Sequence, residues 1–120
     1  MTKALITHTD CLNHITPDGH PERVERLVAV NNALADLDLL RIEAPMGEDS
    51  AILRAHPRSY IDRINTAGVG ALDPDTFMSE GSVLAAYRGV GAVVRAVDMV
   101  IGGEAANAFC AIRPPGHHAE

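Results

Sequence analysis

Residues 108–120 read AFCAIRPPGHHAE, an apolar run of strand length followed directly by two prolines, a glycine and two histidines. The uncharged run from residue 108 to residue 112 is typical of a buried strand. Ligands of open α/β sheets bind beyond the carboxyl ends of the strands, so this strand would deliver the residues after it to a ligand-binding edge. Because two prolines and a glycine stiffen a sharp turn, we expect His117 and His118 to project from a rigid corner at that edge.

Two neighbouring histidines suit proton transfer. Imidazole is the side chain whose unperturbed pKa lies closest to neutral, so a fixed pair can take up and release protons near pH 7. The alternative is a surface turn with two solvated histidines, which would be the better interpretation for an isolated pair. The buried strand directly before the turn favours a functional site, but the residues alone leave both interpretations open.

Upstream of this turn, strands alternate with helices. Apolar runs predict strands over 4–7, 40–44 and 108–112, and helical spacing predicts helices over 21–38, 49–55, 57–67 and 80–101. Pro21 and Pro57 stand where the first position of a helix tolerates proline. Turn-forming residues predict loops over 10–19 and 68–79. The alternation, without a repeat or a domain boundary, predicts one domain with a mainly parallel α/β sheet.

The predicted helix over 80–101 is the longest of the chain. Ser79 is placed to cap it, and Gly89 and Gly91 in its interior favour close approach to a neighbouring segment. Its apolar residues recur at intervals of three and four and predict the buried face of the helix. These residues are Val83, Tyr87, Val90, Val94, Val97 and Ile101.

Composition excludes several classes of protein. Hydrophobic residues make up 47% of the 120 residues, which permits a modest core and argues against disorder. The net charge of −6 and the absence of a basic run argue against a nucleic-acid-binding protein. Cys11 and Cys110 lie far apart and predict reduced thiols rather than a disulfide framework. We see no signal peptide or membrane-spanning segment, and we expect a soluble, cytoplasmic protein without a membrane partner.

The segment Arg113–Ala119 resembles the paired-histidine motif of the histone deacetylase family, in the form found in its class II and bacterial deacetylase-like members. The other segments that resemble this family follow in the same order, so that the resemblance covers essentially all 120 residues. They are Cys11–His14 with Gly19–Leu27, then His56 with Tyr60 and Ile61, then Asp73–Thr76 with Ser79, and finally the Gly/Ala-rich helix before Asn107.

The resemblance implies a three-layer α/β/α fold with a mainly parallel sheet, of the arginase/deacetylase type. It also implies zinc-dependent hydrolysis of an amide, in which zinc polarises the acyl carbonyl and acidifies a bound water. In this scheme His118 is the general base that later protonates the leaving amine, and His117 orients the water and stabilises the transition state. The family's metal ligands, an Asp-x-His pair and a further Asp, have no counterpart in these 120 residues, and neither has its late tyrosine. We therefore expect residues 1–120 to be the N-terminal portion of one deacetylase domain, an incomplete fold with no metal ligand.

The resemblance assigns further residues to the site. Arg26 matches an arginine of the channel through which acetate leaves, although an exposed arginine paired with Glu22 on the same helix is the alternative. Asp73 and Asp75 match the rim, where one of them would grip the substrate, and either could instead be a turn aspartate. His20 and Glu22 would shape the entrance, with structural roles equally open.

Two further alternatives concern metals. Cys11, His14 and His20 have spacing that could suit a closed zinc site, but no nearby fourth ligand is evident. A manganese hydrolase of the arginase type would share the sheet, but it does not use the Pro-Pro-Gly-His-His turn.

Two expectations follow for function. The first is a zinc-dependent deacetylase whose substrate is an acetylated lysine or another acetylated amine, with the oligomeric state of the complete protein, including a homo-oligomer, left open. The second is a non-catalytic module that keeps half the fold for partner binding or as a vestige. In either case, a sheet without its neighbouring strands would leave an unpaired edge and exposed apolar helix faces.

Overall fold

The computed structural model describes residues 1–117 of the chain. Within that range lie five strands, four α-helices and one short 3-10 helix. The strands are β1 (Lys3–Thr7), β2 (Leu40–Glu43), β3 (Gly70–Asp73), β4 (Thr76–Met78) and β5 (Asn107–Ala111). The helices are α1 (Val24–Leu34), α2 (Asp49–Ile52), α3 (Arg58–Thr66) and α4 (Ser82–Ile101), with a short 3-10 helix over Thr9–Asn13.

Three parallel strands form the central sheet, in the order β2-β1-β5. The first strand of the chain is therefore the middle one. Its last residue, Thr7, pairs with Glu43 on one side and with Ala111 on the other. The three carboxyl ends consequently lie side by side at one edge of the sheet, as the strand predictions required.

Helices cover both faces of this sheet. On one face, Ile6 of β1 packs in a buried cluster with Ala92 and Met99 of α4. On the other face, Leu5 packs with Leu27 of α1 and with Cys11. Neighbouring residues of β1 thus feed the two cores alternately, as the side-chain period of a strand dictates. The predicted three-layer α/β/α arrangement is confirmed.

Helix α4 buries a face of small residues, and the predicted apolar stripe is wrong in its second half. Ala85, Gly89 and Ala92 are buried, whereas Val94 and Val97 are exposed. The reason is close packing: a Cβ at Gly91 would overlap the carbonyl oxygen of Pro45. The helix approaches its neighbours through its small side chains, which leaves the larger valines facing outward.

The loop predicted over 68–79 is a β-hairpin. Strands β3 and β4 pair antiparallel across a tight turn. In that turn the Asp73 carboxylate accepts hydrogen bonds from the backbone N–H of Asp75 at 2.8 Å and from the Thr76 hydroxyl at 3.0 Å. The same turn-forming residues that indicated a loop are the ones that join two short strands. The loop predicted over 10–19 likewise begins within the 3-10 helix.

Two helix starts differ from the predictions. Helix α1 begins at Val24 because residues before it are held outside the helix: the Thr16 hydroxyl donates to the Glu22 carbonyl at 2.6 Å, and Arg23 is extended. Pro21 is therefore not in the first helical turn. Helix α4 begins at Ser82 with Gly81 at the cap, and the Ser79 hydroxyl accepts from the Ile15 N–H at 2.9 Å instead of capping the helix.

Apolar surface collects beside β5. In the part of the chain that the structure describes, β5 has a strand on one side only. Phe109 on this strand is 56% exposed, and Val97, Val100 and Ile101 of α4 are exposed nearby around Ala108. The unpaired edge and apolar helix face expected from the sequence are thus present among these residues. Over the same residues, no helix combines the length and the hydropathy needed to cross a bilayer.

Candidate active site

The carboxyl edge of the sheet brings the two ends of the chain together. Thr7 and Ala111 are paired at the ends of β1 and β5, and the Thr7 hydroxyl donates to the Ala111 carbonyl at 2.7 Å. The segment after β1 and the segment after β5 therefore leave the sheet side by side. This is the edge at which open α/β sheets bind ligands.

The segment after β5 makes the turn that the sequence predicts. The Arg113–Pro114 peptide bond is cis, and Gly116 has a φ of 85°, a left-handed conformation that favours glycine. His117 follows as an exposed residue of the turn. His118, the predicted general base, lies outside the described residues.

Arg113 at the start of this turn is the largest fully buried side chain among the described residues, with 1% of its surface exposed. Its guanidinium donates to both carboxylate oxygens of Glu22, from Nε at 2.9 Å and from Nη2 at 2.7 Å. Its Nη1 donates to the backbone carbonyls of Cys11 at 3.0 Å and of His14. The buried charge is thus paired, with hydrogen bonds from four of its five N–H groups, which is how a protein tolerates such a group in its interior.

Glu22 therefore serves a buried partner as well as an exposed one. Arg26, one helical turn further on, places Nη1 3.4 Å from Oε1 of Glu22, with 57% of its side chain exposed. The ion pair considered for Arg26 is thus present. Arg26 also lines a cavity of about 100 Å³ with Val30, Phe109 and Arg113. Its role in acetate release stays a prediction.

His14 is buried beside this ion pair. Its Nδ1 lies 2.7 Å from the Ser82 hydroxyl oxygen, which already accepts from the Ser79 N–H at 2.7 Å. Burial, reinforced by the positive Arg113 and opposed by Glu22, holds the pKa of His14 below its ordinary value. In the neutral imidazole, Nδ1 accepts from the serine hydroxyl, and the protonated Nε2 lies 3.8 Å from Glu22 Oε2.

The predicted rim residues lie close together in space. His20 Nδ1 accepts from the Glu22 N–H at 3.0 Å, and His20 Nε2 lies 3.1 Å from the Asp75 carbonyl oxygen. One tautomer, protonated at Nε2, satisfies both contacts. Asp73 shapes the turn of the hairpin through its carboxylate. The first loop and the hairpin are thereby joined, although their contact with substrate stays a prediction.

The alternative metal site does not form among the described residues. Within 1–117, no three His, Cys, Asp or Glu side chains come together in a way that could hold a metal ion. His14 is committed to Ser82, and His20 to the backbone of Glu22 and Asp75. Cys110 is partly buried, and burial raises the pKa of its thiol.

The structure brings Glu22, Arg26, His20 and Asp75 within one connected set at the edge where the histidine turn begins. Arg113 is the residue that sequence reasoning missed, because it was assigned no role of its own. A signal existed: a charged residue directly after a buried strand needs a partner, and Glu22 lies in a segment rich in charged side chains.

Comparison with known proteins agrees with this arrangement. A sequence model of the histone deacetylase domain matches residues 20–120. The chain belongs to the histone deacetylase family. Family membership agrees with the predicted fold, a parallel sheet with helices on both faces.

Relatives of this family cover most of the chain. The histone deacetylase-like amidohydrolase of Pseudomonas aeruginosa is 38% identical over 109 residues, which are 83% of this chain and 28% of that protein. A probable deacetylase of Archaeoglobus fulgidus is 30% identical over 128 residues, covering 100% of this chain and 36% of that protein. The crystal structure of the HDA15 HD domain superimposes with a TM-score of 0.90 at 26% identity, over 98% of this chain and 37% of that one. The chain thus spans about a third of the length of each of these proteins.

Proposed function

We propose that this chain forms the N-terminal portion of a deacetylase domain that hydrolyses the amide of an acetylated lysine or another acetylated amine. One observation carries the proposal: a proline-glycine turn at the carboxyl edge of the sheet starts from the buried Arg113 and presents His117 at the surface. Membership of the histone deacetylase family supports amide hydrolysis as the chemistry of this turn. The homo-oligomeric state and the cytoplasmic location stay predictions.

Within this proposal the two histidines divide the work. His118 is the general base that removes a proton from the attacking water and later returns it to the leaving amine. His117 orients that water and stabilises the charge that develops on the tetrahedral intermediate. The sequence supports these roles because the two histidines are adjacent residues that follow the proline-glycine turn.

Zinc is part of the proposal through the family alone. The described residues do not fit a zinc site, because no three suitable side chains come together within 1–117. We therefore assign no step to the ion here. The residues that would hold it are not among those described.

Replacing His118 by Ala in the whole encoded protein tests the role of His118 as general base. Turnover of an acetyl-lysine peptide and of an acetylated polyamine should fall by about 10²–10⁴-fold, the range expected for loss of a general base. The bound zinc content should not change. His56→Ala is the matched control, because His56 stacks on Tyr60 in α3, and it should leave turnover near the wild-type value. Near-normal deacetylation in the His118 variant would refute the role given to that residue.

A non-catalytic, partner-binding module is the second candidate. Among the described residues, Phe109 of β5 and Val97 of α4 are exposed apolar side chains that a partner could cover, a surface that both functions predict. The same assays separate the two functions, because a partner-binding module would turn over neither acetylated substrate in the presence of zinc.

A further inference from the structure

The ion pair between Arg113 and Glu22 lies directly beneath the histidine turn, in contact with three segments of the chain. Arg113 begins the turn, Glu22 precedes α1, and the carbonyls of Cys11 and His14 belong to the segment after β1. We propose that Arg113 and Glu22 are positioning residues that fix the orientation of His117 for the deacetylase reaction. This inference rests on the proposed function.

The geometry of the pair is specific to arginine and glutamate. The guanidinium uses Nε and Nη2 on the two carboxylate oxygens, and it still has Nη1 for two backbone carbonyls. A lysine ammonium is a point charge on a flexible chain and cannot reproduce this planar, bidentate contact. The substitution Arg113→Lys would therefore keep the charge and lose the orientation.

Burial makes the arrangement rigid. Arg113 is 1% exposed and the Glu22 side chain 15% exposed, so water competes little for their hydrogen bonds. Arg26 also contacts Glu22, but it is largely exposed and reaches only one carboxylate oxygen. The buried partner of Glu22 is thus Arg113, and Arg26 cannot replace it.

The prolines carry this fixed position along the turn. The rings of Pro114 and Pro115 restrict φ at two successive residues, and Gly116 supplies the left-handed φ of 85° that redirects the chain. The two rings therefore fix two of the backbone torsions between the anchored Arg113 and His117. Movement of the anchor would shift the start of the turn and, through it, His117.

The backbone of Glu22, rather than its ion pair with Arg113, contacts the rim. The Glu22 N–H donates to His20, whose other ring nitrogen contacts the Asp75 carbonyl of the hairpin. Loss of the Glu22 charge without loss of its backbone contacts would leave this connection in place. Arg113→Lys and Glu22→Gln therefore disturb the turn more than the rim, and they should change kcat more than KM.

Steady-state kinetics of Arg113→Lys and Glu22→Gln, measured on the whole encoded protein, test the proposal. For each variant, kcat per folded molecule should fall at least tenfold, with KM within threefold of the wild-type value. Arg95→Lys and Glu104→Gln are matched controls, because Arg95 and Glu104 form a bidentate pair outside the site. The two N···O distances of this exposed pair are 3.1 and 3.0 Å. They should leave both constants unchanged. An unchanged kcat, or a rise in KM alone, would overturn the proposal.

A second measurement does not depend on activity. The imidazole NMR signal of His117, assigned with His117→Gln in the same polypeptide, should shift in Arg113→Lys and not in Arg95→Lys. If the wild-type protein deacetylates nothing, the proposed function fails while this signal still decides whether the pair positions His117. An unshifted signal would overturn the inference. Should Arg113→Lys fail to fold, Glu22→Gln carries both measurements.

Discussion

Arg88 of α4 donates from Nε to the Asp10 carboxylate of the 3-10 helix at 2.9 Å, across 78 residues of sequence. Its Nη1 also donates to the carbonyl of Ala44, directly after β2, at 3.0 Å. One partly buried side chain thus connects α4 with the segments that follow two neighbouring strands. These contacts hold the carboxyl edge of the sheet against the long helix.

Replacing Arg88 by Met should therefore lower the stability of the protein. The change leaves the Asp10 carboxylate and the Ala44 carbonyl without these donors, at a cost of about 1–3 kcal/mol in the free energy of unfolding. Urea denaturation measures the loss. Arg95→Met removes a more exposed ion pair, between Arg95 of the same helix and Glu104 after its end, and should cost clearly less. Equal losses in the two variants would contradict the anchoring role of Arg88.

Replacing Gly91 by Ala should destabilise the protein, although alanine is the better helix former by about 1 kcal/mol. The added Cβ would overlap the Pro45 carbonyl, so the loop after β2 or the helix must move, at a net cost of about 1–3 kcal/mol. Thermal unfolding measures the change. Gly89→Ala is the control, because its Cβ would meet only the flexible end of Ile112 at 3.3 Å. A gain of stability in Gly91→Ala would show that this approach is not tight.

The lowered pKa of His14 predicts how stability depends on pH. In the unfolded chain this histidine titrates near its ordinary value of about 6.5, and in the folded protein it stays neutral to lower pH. The unfolded state therefore binds more protons in the interval between the two pKa values. The contribution of His14 is complete above the unfolded pKa and is lost as the pH falls through that value toward the folded one.

His14→Gln should remove this part of the pH dependence. Glutamine can still hydrogen-bond Ser82, but it cannot take up a proton. The measurement is the free energy of unfolding in urea between pH 8 and pH 5, compared with the wild-type protein. An identical slope in both proteins would mean that His14 is not the residue responsible.

The two rim aspartates should differ in their effects. Asp73→Ala removes the acceptor of two hydrogen bonds in the hairpin turn, so the amides of that turn should exchange hydrogen faster. Within residues 1–117 the Asp75 carboxylate has no hydrogen bond, and Asp75→Ala should leave exchange unchanged while raising KM roughly tenfold through one lost contact with substrate. A normal KM in Asp75→Ala would remove Asp75 from the proposed substrate contacts.

The central sheet could be predicted from the sequence because its strands are apolar or alternating runs of strand length. Few turn-forming residues or helical spacings interrupt these runs. It missed the hairpin because β3 and β4 have only four and three residues, and the turn between them dominates the local pattern. It also placed the wrong face of the second half of α4 against the core. Hydrophobic periodicity assigns a valine such as Val97 to the buried face before an alanine such as Ala92. In the structure, the short distance between α4 and its neighbours leaves room on the buried face only for the smaller side chain.

The sequence predicted where the site lies, but not which side chains contact one another there. The turn after β5 and its ligand-facing edge follow from chain order and from the general geometry of parallel sheets. The partner of Arg113 does not follow, because Glu22 is 91 residues away and several acidic residues were equally available. Only the packing of α1 against β5 selects Glu22.

β1, the middle strand of the sheet, is the first strand in the sequence. Its neighbour β5 is the last of the described strands, and Arg113, the partner of Glu22, follows β5. Closing loops of this length costs entropy before any contact repays it, so β1 and β2 can pair before β5 has been synthesised. Until Arg113 has been synthesised, the largely exposed Arg26 is the guanidinium beside Glu22. The histidine turn therefore gains its buried support only after β5 has joined the sheet.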